Sequence, residues 1–477
     1  MSESTRTWNL SPQSEYRFEL EPNTSLAVRL TSGNAEVFGA ELAPGRLYLF
    51  GGECKAAVFT WYGCTLEISR PPTEYTSDET PMVQLINIHT AFEQMRVQAH
   101  RALTAGQPLI AKSRPPRVLV VGPENSGKTS ACKTWCNYAV RGGRGWCPTL
   151  INLDVAEGGW TIPGTVSACP LSSAIPTCTP ANPFGATATS APTALSSSAL
   201  LPIVYWFGHT EIKRNRQLIE RLIHNLADSV KQKFQQDHTL NASGFIIDAP
   251  AGFAVPGPLT DNKYNFVKTC VEAFDVNVIL IMGNEKLNVE LQRAFGSSGN
   301  ITVLKVPKSG GVAELDYAYQ SRVVASQIRA YFYGTPLYLP PSMNAATAQL
   351  GGEAATEMTL SPFSTTLDVN EIRIYRIGDT SLAPSSALPI GATRTVGEMQ
   401  PVRVELSSGG LLHSVLALLA PFDSNPSDEA ILKQEVAGFL IVTAIDMQRR
   451  KITVLSPSPG SLSGRVALAG SLEWQDR

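Results

Sequence analysis

Residues 122–129 read GPENSGKT and fit the pattern G-x-x-x-x-G-K-[ST]. No other stretch constrains the fold as much, because such a loop works only between a buried strand and the start of a helix. Glycines at 122 and 127 permit backbone angles closed to other residues. The loop amides can then converge on phosphate oxygens at the positive end of the helix. Lys128 offers a point charge to the β- and γ-phosphates, and Thr129 offers a hydroxyl to Mg²⁺. The flanks agree: 118–121 is a β-branched run and 130–140 is helical in composition. Nucleotide binding is the expected chemistry.

The surroundings extend this pattern. Residues 149–153, 203–207, 245–247, 276–282 and 301–306 are apolar runs. Leu218, Leu222, Leu226, Val230 and Phe234 recur every four residues and mark an amphipathic helix. Continuous apolar runs fit strands covered on both faces by helices, so an open parallel α/β sheet is expected. Mg²⁺ at such a site usually takes a carboxylate from the end of a neighbouring strand. Asp154 and Asp248 each follow an apolar run, and the residues alone do not choose between them.

With 477 residues, about three domains are expected. From 15 to 70, short β-prone segments are punctuated by Gly33, Gly45, Gly51, Gly52 and Gly63, which suggests a small β-sandwich. Helical periodicity runs from Met82 to Leu103, and KSRPPR at 112–117 reads as a linker. After Gly334 the alternation stops. Residues 335–366 are rich in Pro and Ala and read as a linker. Ile372, Ile374, Val402, Val404 and the runs 439–445 and 452–455 then suggest a second β-rich domain. The predicted division is 1–108, 109–334 and 335–477. Between Gly158 and Thr210 there is no Asp, Glu, Lys or Arg, and 168–202 reads as a mobile insertion.

Composition removes several classes. With 39 basic and 41 acidic side chains, the chain is not a general polycation for nucleic acid. No apolar run reaches the roughly 18 residues of a membrane span; the longest, 411–420, contains His413 and Ser414. The eight cysteines form no disulfide framework. Cys132 and Cys136 lie one helical turn apart without a second pair, so they are expected to be reduced thiols in a cytosolic or nuclear setting.

AEVFGAEL (35–42), AVFTWYGC (57–64), TPMVQLINIHTAFEQMR (80–96), GPENSGKTS, NLDV, TIPGT (161–165), VPKSGGV (306–312) and IRAYFYG (328–334) follow one another in an order that resembles a single family. It is the polyribonucleotide 5′-hydroxyl kinase family, which includes the subunits of the mRNA cleavage and polyadenylation factors. The resemblance runs from about Glu15 to Gly334 and more loosely beyond. It implies an N-terminal β-sandwich, a central P-loop kinase-like domain and a C-terminal β-rich domain. It also implies that Glu15 and Lys55 contact the nucleotide. The phosphate loop maps onto Asn125, Ser126, Gly127, Lys128, Thr129 and Ser130, and the magnesium-linked, catalytic aspartate onto Asp154.

Departures from the active kinases alter the expected function. Active members follow that aspartate with a G-Q pair; here Val155, Ala156 and Glu157 stand instead. The C-G-W segment of active members is replaced by DAPAGFAVPG (248–257), with no tryptophan. Where the family's lid helix carries several arginines, 314–324 contains only Arg322. Loss of arginines that stabilise a transferring phosphoryl group costs on the order of 10³ to 10⁵ in rate. The resemblance therefore implies ATP and Mg²⁺ held without appreciable turnover, as in the fungal cleavage factor IA branch. It implies a nuclear scaffold of pre-mRNA 3′-end processing. The implied partner is the cleavage factor subunit that binds the polymerase II C-terminal domain, alongside other 3′-end processing subunits; contact with RNA would be indirect or weak. The alternative is an active polynucleotide 5′-hydroxyl kinase in which Asp154 assists the attacking hydroxyl.

Overall fold

The computed structural model describes residues 5–475, except 70–72, 176, 178, 182, 185–200, 258–262, 297–298, 335–360, 379–398, 405–409 and 424. Nine short strands come first: β1 (Arg6–Leu10), β2 (Ser14–Glu19), β3 (Leu26–Gly33), β4 (Glu36–Val37), β5 (Ala40–Glu41), β6 (Leu47–Phe50), β7 (Lys55–Thr60), β8 (Cys64–Ile68) and β9 (Thr73–Ser77). They form a four-stranded sheet, β1-β8-β3-β6, and a five-stranded sheet, β5-β4-β7-β2-β9. Tyr16, Phe18, Leu26, Leu30, Val58, Leu66 and Ile68 fill the space between them. This is the expected sandwich.

Helix α1 (Met82–Thr104) follows this sandwich in sequence but packs elsewhere. Phe92 meets Trp135 edge-on, Trp135 Nε1 donates to Leu85 O at 3.0 Å, and the buried Arg96 donates to Ser243 O at 3.0 Å. Helix α1 thus falls within the expected 1–108 unit while its apolar face covers the central domain.

The central strands are β10 (Arg117–Val121), β11 (Thr149–Asn152), β12 (Thr165–Pro170), β13 (Ile203–Trp206), β14 (Phe245–Asp248), β15 (Val278–Met282) and β16 (Thr302–Val306). The helices are α2 (Lys128–Arg141), α3 (Arg216–Gln236), α4 (His238–Ser243), α5 (Asn265–Phe274), α6 (Glu285–Phe295) and α7 (Tyr317–Tyr333). The sheet order is β13-β12-β11-β14-β10-β15-β16. Six of the seven strands run in one direction, and only β12 is reversed, pairing antiparallel with both β11 and β13. The sheet is therefore mixed where a parallel one is expected. The link from β11 to β12 contains no crossover helix, so the chain returns in the opposite direction. The start of the expected insertion, Ala168, lies inside β12, paired with Ile151 on one side and Ile203 on the other. Residues 185–200 of that insertion lie outside the described residues.

The C-terminal strands are β17 (Phe363–Asp368), β18 (Arg373–Ile377), β19 (Pro401–Arg403), β20 (Ser414–Leu419), β21 (Val436–Asp446), β22 (Lys451–Ser456) and β23 (Val466–Glu473), with the short helix α8 (Asp428–Lys433). They form one sheet, β17-β22-β21-β20-β23-β18-β19. The expected linker 335–366 overlaps β17; its residues 335–360 lie outside the described residues. One apolar core runs from Leu119, Ile247 and Trp206 of the central sheet into Phe439, Val415 and Leu468 of the C-terminal sheet. The two backbones touch at Gly208 and Gly470. A Cβ added at Gly470 would stand 2.2 Å from the Gly208 carbonyl oxygen, which in turn accepts from Ser471 N at 2.8 Å. No described helix is long and apolar enough to cross a membrane. Cys132 and Cys136 are free and fully buried on α2.

Candidate nucleotide-binding site

Strand β10 is buried on both faces and fixes the start of the phosphate loop. Gly127 caps α2 in the left-handed region at φ 82, and Asn125 also has positive φ, 50. A side chain at 127 would be strained, and its Cβ would stand 3.0 Å from Val312 Cγ2. Ser126 Oγ and Lys128 Nζ both donate to Pro123 O, at 2.8 and 2.9 Å. The lysine thus turns back into its own loop and is only 8% exposed. The amides of Lys128, Thr129 and Ser130 open α2, where helical N–H groups have no partner within the helix. These groups form a cradle of donors with one positive charge inside it.

Thr129 Oγ1 donates to Asp248 Oδ2 at 2.6 Å. Asp248 ends β14, the strand hydrogen-bonded directly to β10. Its other oxygen, Oδ1, is buried and has no hydrogen-bond partner. Burial pushes the Asp248 carboxyl up to about 6. Lys128 and the Thr129 hydroxyl oppose that rise, and Asp154 adds to it. An orphaned buried carboxylate oxygen beside a hydroxyl is the donor chemistry a hard divalent cation takes.

Asp154 is half-buried just beyond β11. Asn152 organises its turn: Asn152 Oδ1 accepts from Asp154 N at 3.1 Å, and Nδ2 donates to Glu157 O at 2.7 Å. Asp154 Oδ1 accepts from Ala156 N at 3.0 Å. Burial raises the Asp154 carboxyl against the pull of that amide and of Lys128. Glu157 is also raised, by burial first and then by the negative charges of Asp154 and Asp248. Lys128 therefore faces three interacting carboxylates. Among the described residues, no group of three His, Cys, Asp or Glu side chains is placed to hold a metal ion by itself. A cation here would need phosphate oxygens as further ligands, as Mg²⁺ commonly does. The residues present fit a triphosphate with such a cation: Lys128 and the α2 amides for the phosphates, Thr129 and Asp248 or Asp154 for the metal.

The N-terminal sandwich reaches the same region. Glu15 is buried on β2, accepting from Arg17 Nε at 2.7 Å and from Thr80 Oγ1 at 2.5 Å. Arg17 lies against the segment after β16; a Cβ added at Gly311 would sit 2.5 Å from Arg17 Cζ. Lys55, at the start of β7, pairs with Glu19, and its ammonium is 5.6 Å from the centroid of the Tyr319 ring on α7. Glu15 and Glu19 sit on one strand, and Lys55 is the cross-strand partner of Glu19. Glu15 and Lys55 are thus about 13 Å apart along the sheet at 3.3 Å per residue. Both face the roof formed by 306–319, and both already pair with other side chains of this protein.

The loop residues are legible as a motif. Asp248 stands level with Asp154 in the sequence, and only strand order puts it beside Thr129. Glu157, Glu53, Arg17 and Tyr319 carry no sequence signal of their own, because chain segments far apart bring them here. Arg322, the only arginine of 314–324, points to the sandwich: its Nε donates to Glu53 Oε1 at 2.6 Å.

Residues 9–99 match the family description "N-terminal beta-sandwich domain of polyadenylation factor". Residues 122–334 match "mRNA cleavage and polyadenylation factor CLP1 P-loop", and 360–476 match "Pre-mRNA cleavage complex II protein Clp1". The chain is 53% identical over 487 residues to a Laccaria bicolor protein named mRNA cleavage and polyadenylation factor CLP1, covering 100% of this chain and 99% of that one. It is 33% identical to an Arabidopsis thaliana protein named Protein CLP1 homolog, covering 98% and 93%. A solved structure described as a wild-type Clp1p–Pcf11p complex superposes with a TM-score of 0.79 at 24% identity, covering 100% and 99%. A second, described as an extended Pcf11p–Clp1p interface and the basis of ATP loss in a point mutant, gives 0.78 at 24%, covering 99% of each chain. At that identity these two likenesses speak for the fold. The strand–loop–helix cradle, the sandwich that roofs it and the matches along nearly the whole length agree: the chain belongs to the CLP1 family of mRNA cleavage and polyadenylation factors.

Proposed function

We propose that this protein is a nuclear scaffold subunit of the pre-mRNA 3′-end cleavage and polyadenylation machinery that holds ATP–Mg²⁺ without consuming it. Glu15, Lys55, Asn125, Ser126, Gly127, Lys128, Thr129 and Ser130 hold the nucleotide; Thr129 and Asp154, with Asp248, hold the metal. The parts 1–108, 109–334 and 335–477 are its working units, and the nucleotide links the first to the second. A relative solved with Pcf11p supports a partner of that kind, the cleavage factor subunit that binds the polymerase II C-terminal domain. It docks on the central and C-terminal parts, while other subunits assemble around it and RNA contact stays indirect or weak.

One observation carries the absence of turnover. Transfer of a phosphoryl group needs positive charge over the developing transition state. The only arginine of 314–324 is ion-paired to Glu53 on the N-terminal sandwich instead. Around Lys128 the carboxylates of Asp154, Glu157 and Asp248, which the buried Lys133 only partly offsets, favour metal retention over approach of a polyanionic substrate.

The test is the nucleotide found in protein purified from its native host and its fate with time. ATP that co-purifies and remains intact over hours supports the reading. Transfer of labelled γ-phosphate to a 5′-hydroxyl RNA, abolished by Asp154→Asn, would replace it with a kinase.

A further inference from the structure

We infer that Glu53 is a latch: it ties the N-terminal sandwich to the lid helix α7 and so sets how fast nucleotide leaves the site. The inference rests on the nucleotide-binding reading above, but not on absence of turnover.

Glu53 sits in the turn Gly51-Gly52-Glu53 between β6 and β7. Its backbone is left-handed, at φ 62. A non-glycine residue there carries a strain of about 1 kcal/mol or more, and a glycine would relieve it. Its side chain is nevertheless only 10% exposed and makes a specific contact. Glu53 Oε1 accepts from Arg322 Nε at 2.6 Å, and Glu53 O accepts from Tyr319 Oη at 3.2 Å. One residue in a strained conformation thus grips two residues one turn apart on α7. Beside it, Lys55 lies over the Tyr319 ring.

The position of this grip gives it a role. The segment leading into α7 closes over the phosphate loop, with Val312 against Gly127. From the other side, Arg17 covers Gly311, and Arg17 Nη2 donates to Glu79 O at 2.5 Å. A nucleotide seated on the Lys128 loop is therefore enclosed between the sandwich and the lid segment. Release requires those two bodies to part, and the Glu53–α7 contacts must break for that. A charge-assisted contact half open to solvent contributes modestly, so each single disruption speeds release about threefold to tenfold.

The test is release of radiolabelled ATP from the full chain into excess unlabelled ATP. Glu53→Gln and Arg322→Gln should each speed release about threefold to tenfold. The swap Glu53→Arg with Arg322→Glu should release more slowly than either single charge reversal. Glu53→Gly should release as fast as Glu53→Gln while melting at a higher temperature without nucleotide, because it relieves the left-handed strain. A purely structural residue would not separate these two readouts. Unchanged release in both Gln variants, or strictly additive effects in the swap, would overturn the latch. If the parent chain holds no ATP, the nucleotide reading fails first. The latch is then judged by amide hydrogen exchange of 319–328 without nucleotide: faster exchange in Glu53→Gln supports it, and identical exchange removes it.

Discussion

At the scale of single residues, Asp248 shows what the phosphate loop asks of its surroundings. It is 2% exposed, has one unpartnered oxygen, and its carboxyl is raised from 3.8 to about 6. A carboxyl whose folded pKa lies above its unfolded one makes the charged form costly: the cost is full above pH 6 and fades as the pH falls towards 4. A rise of about two units corresponds to a cost on the order of 3 kcal/mol. Asp248→Asn should therefore raise the melting temperature of the nucleotide-free protein at pH 7.5, with the gain shrinking towards pH 4.5. Thermal melts across that range check it; a variant less stable than the parent at pH 7.5 would mean that burial does not dominate. The sequence cannot single out this residue. Both Asp154 and Asp248 end apolar runs, and the deciding fact is that β14, not β11, pairs with β10. Lys128 and Thr129 need no such fact, because the motif that proposes their roles spans only eight consecutive residues.

At the scale of elements, runs with a strong period are readable: the β10, β14 and β15 strands, and α3 with its repeat of buried Leu218, Leu222, Leu226, Val230 and Phe234. Elements that depend on partners are not. Residues 165–170 are Thr, Val, Ser, Ala, Cys and Pro, a composition that reads as loop. They form a strand because β11 and β13 supply ladders on both sides. In the sequence, 411–420 stands out only as an apolar run; its residues Ser414–Leu419 form β20, which lies inside the C-terminal sheet, between β21 and β23. The seam between β13's end and β23 yields a prediction. Gly470→Ala places a methyl 2.2 Å from the Gly208 oxygen, so the backbones must separate. Overpacking of this kind costs about 1–3 kcal/mol. A lower melting temperature and faster proteolytic release of the C-terminal part should follow, measured against a surface control such as Gly460→Ala, where a methyl meets nothing within 4 Å.

At the scale of the whole molecule, the sandwich is joined to the central domain in two ways. One needs no ligand: Arg141 on α2 pairs with the buried Glu36 at 2.6 Å, and Asn137 Nδ2 donates to Phe38 O at 2.8 Å. The other is the roof over the phosphate loop, held by the Arg322–Glu53 pair and the Tyr319–Glu53 hydrogen bond, which the proposed nucleotide would strengthen. A ligand at a thousand times its Kd adds about 4 kcal/mol. Lys128→Ala should therefore leave a folded chain with an intact sandwich contact while removing most of the melting-temperature gain from ATP and Mg²⁺. Calorimetry with and without nucleotide measures this, and a Lys128→Ala protein that gains as much as the parent would refute the role of that ammonium. Binding of the proposed partner, measured alongside, reports whether the ligand-dependent join matters to assembly.

The meeting of Gly208 and Gly470 has a mechanical meaning. Packed helices slide because side chains on both faces can exchange rotamers and shift by small steps. Here main chain abuts main chain, with a hydrogen bond from Ser471 N to Gly208 O across the seam. Such a joint has no intermediate positions to occupy. Shifting the C-terminal sheet against the end of β13 must break that hydrogen bond first, which makes the joint a keystone and not a bearing.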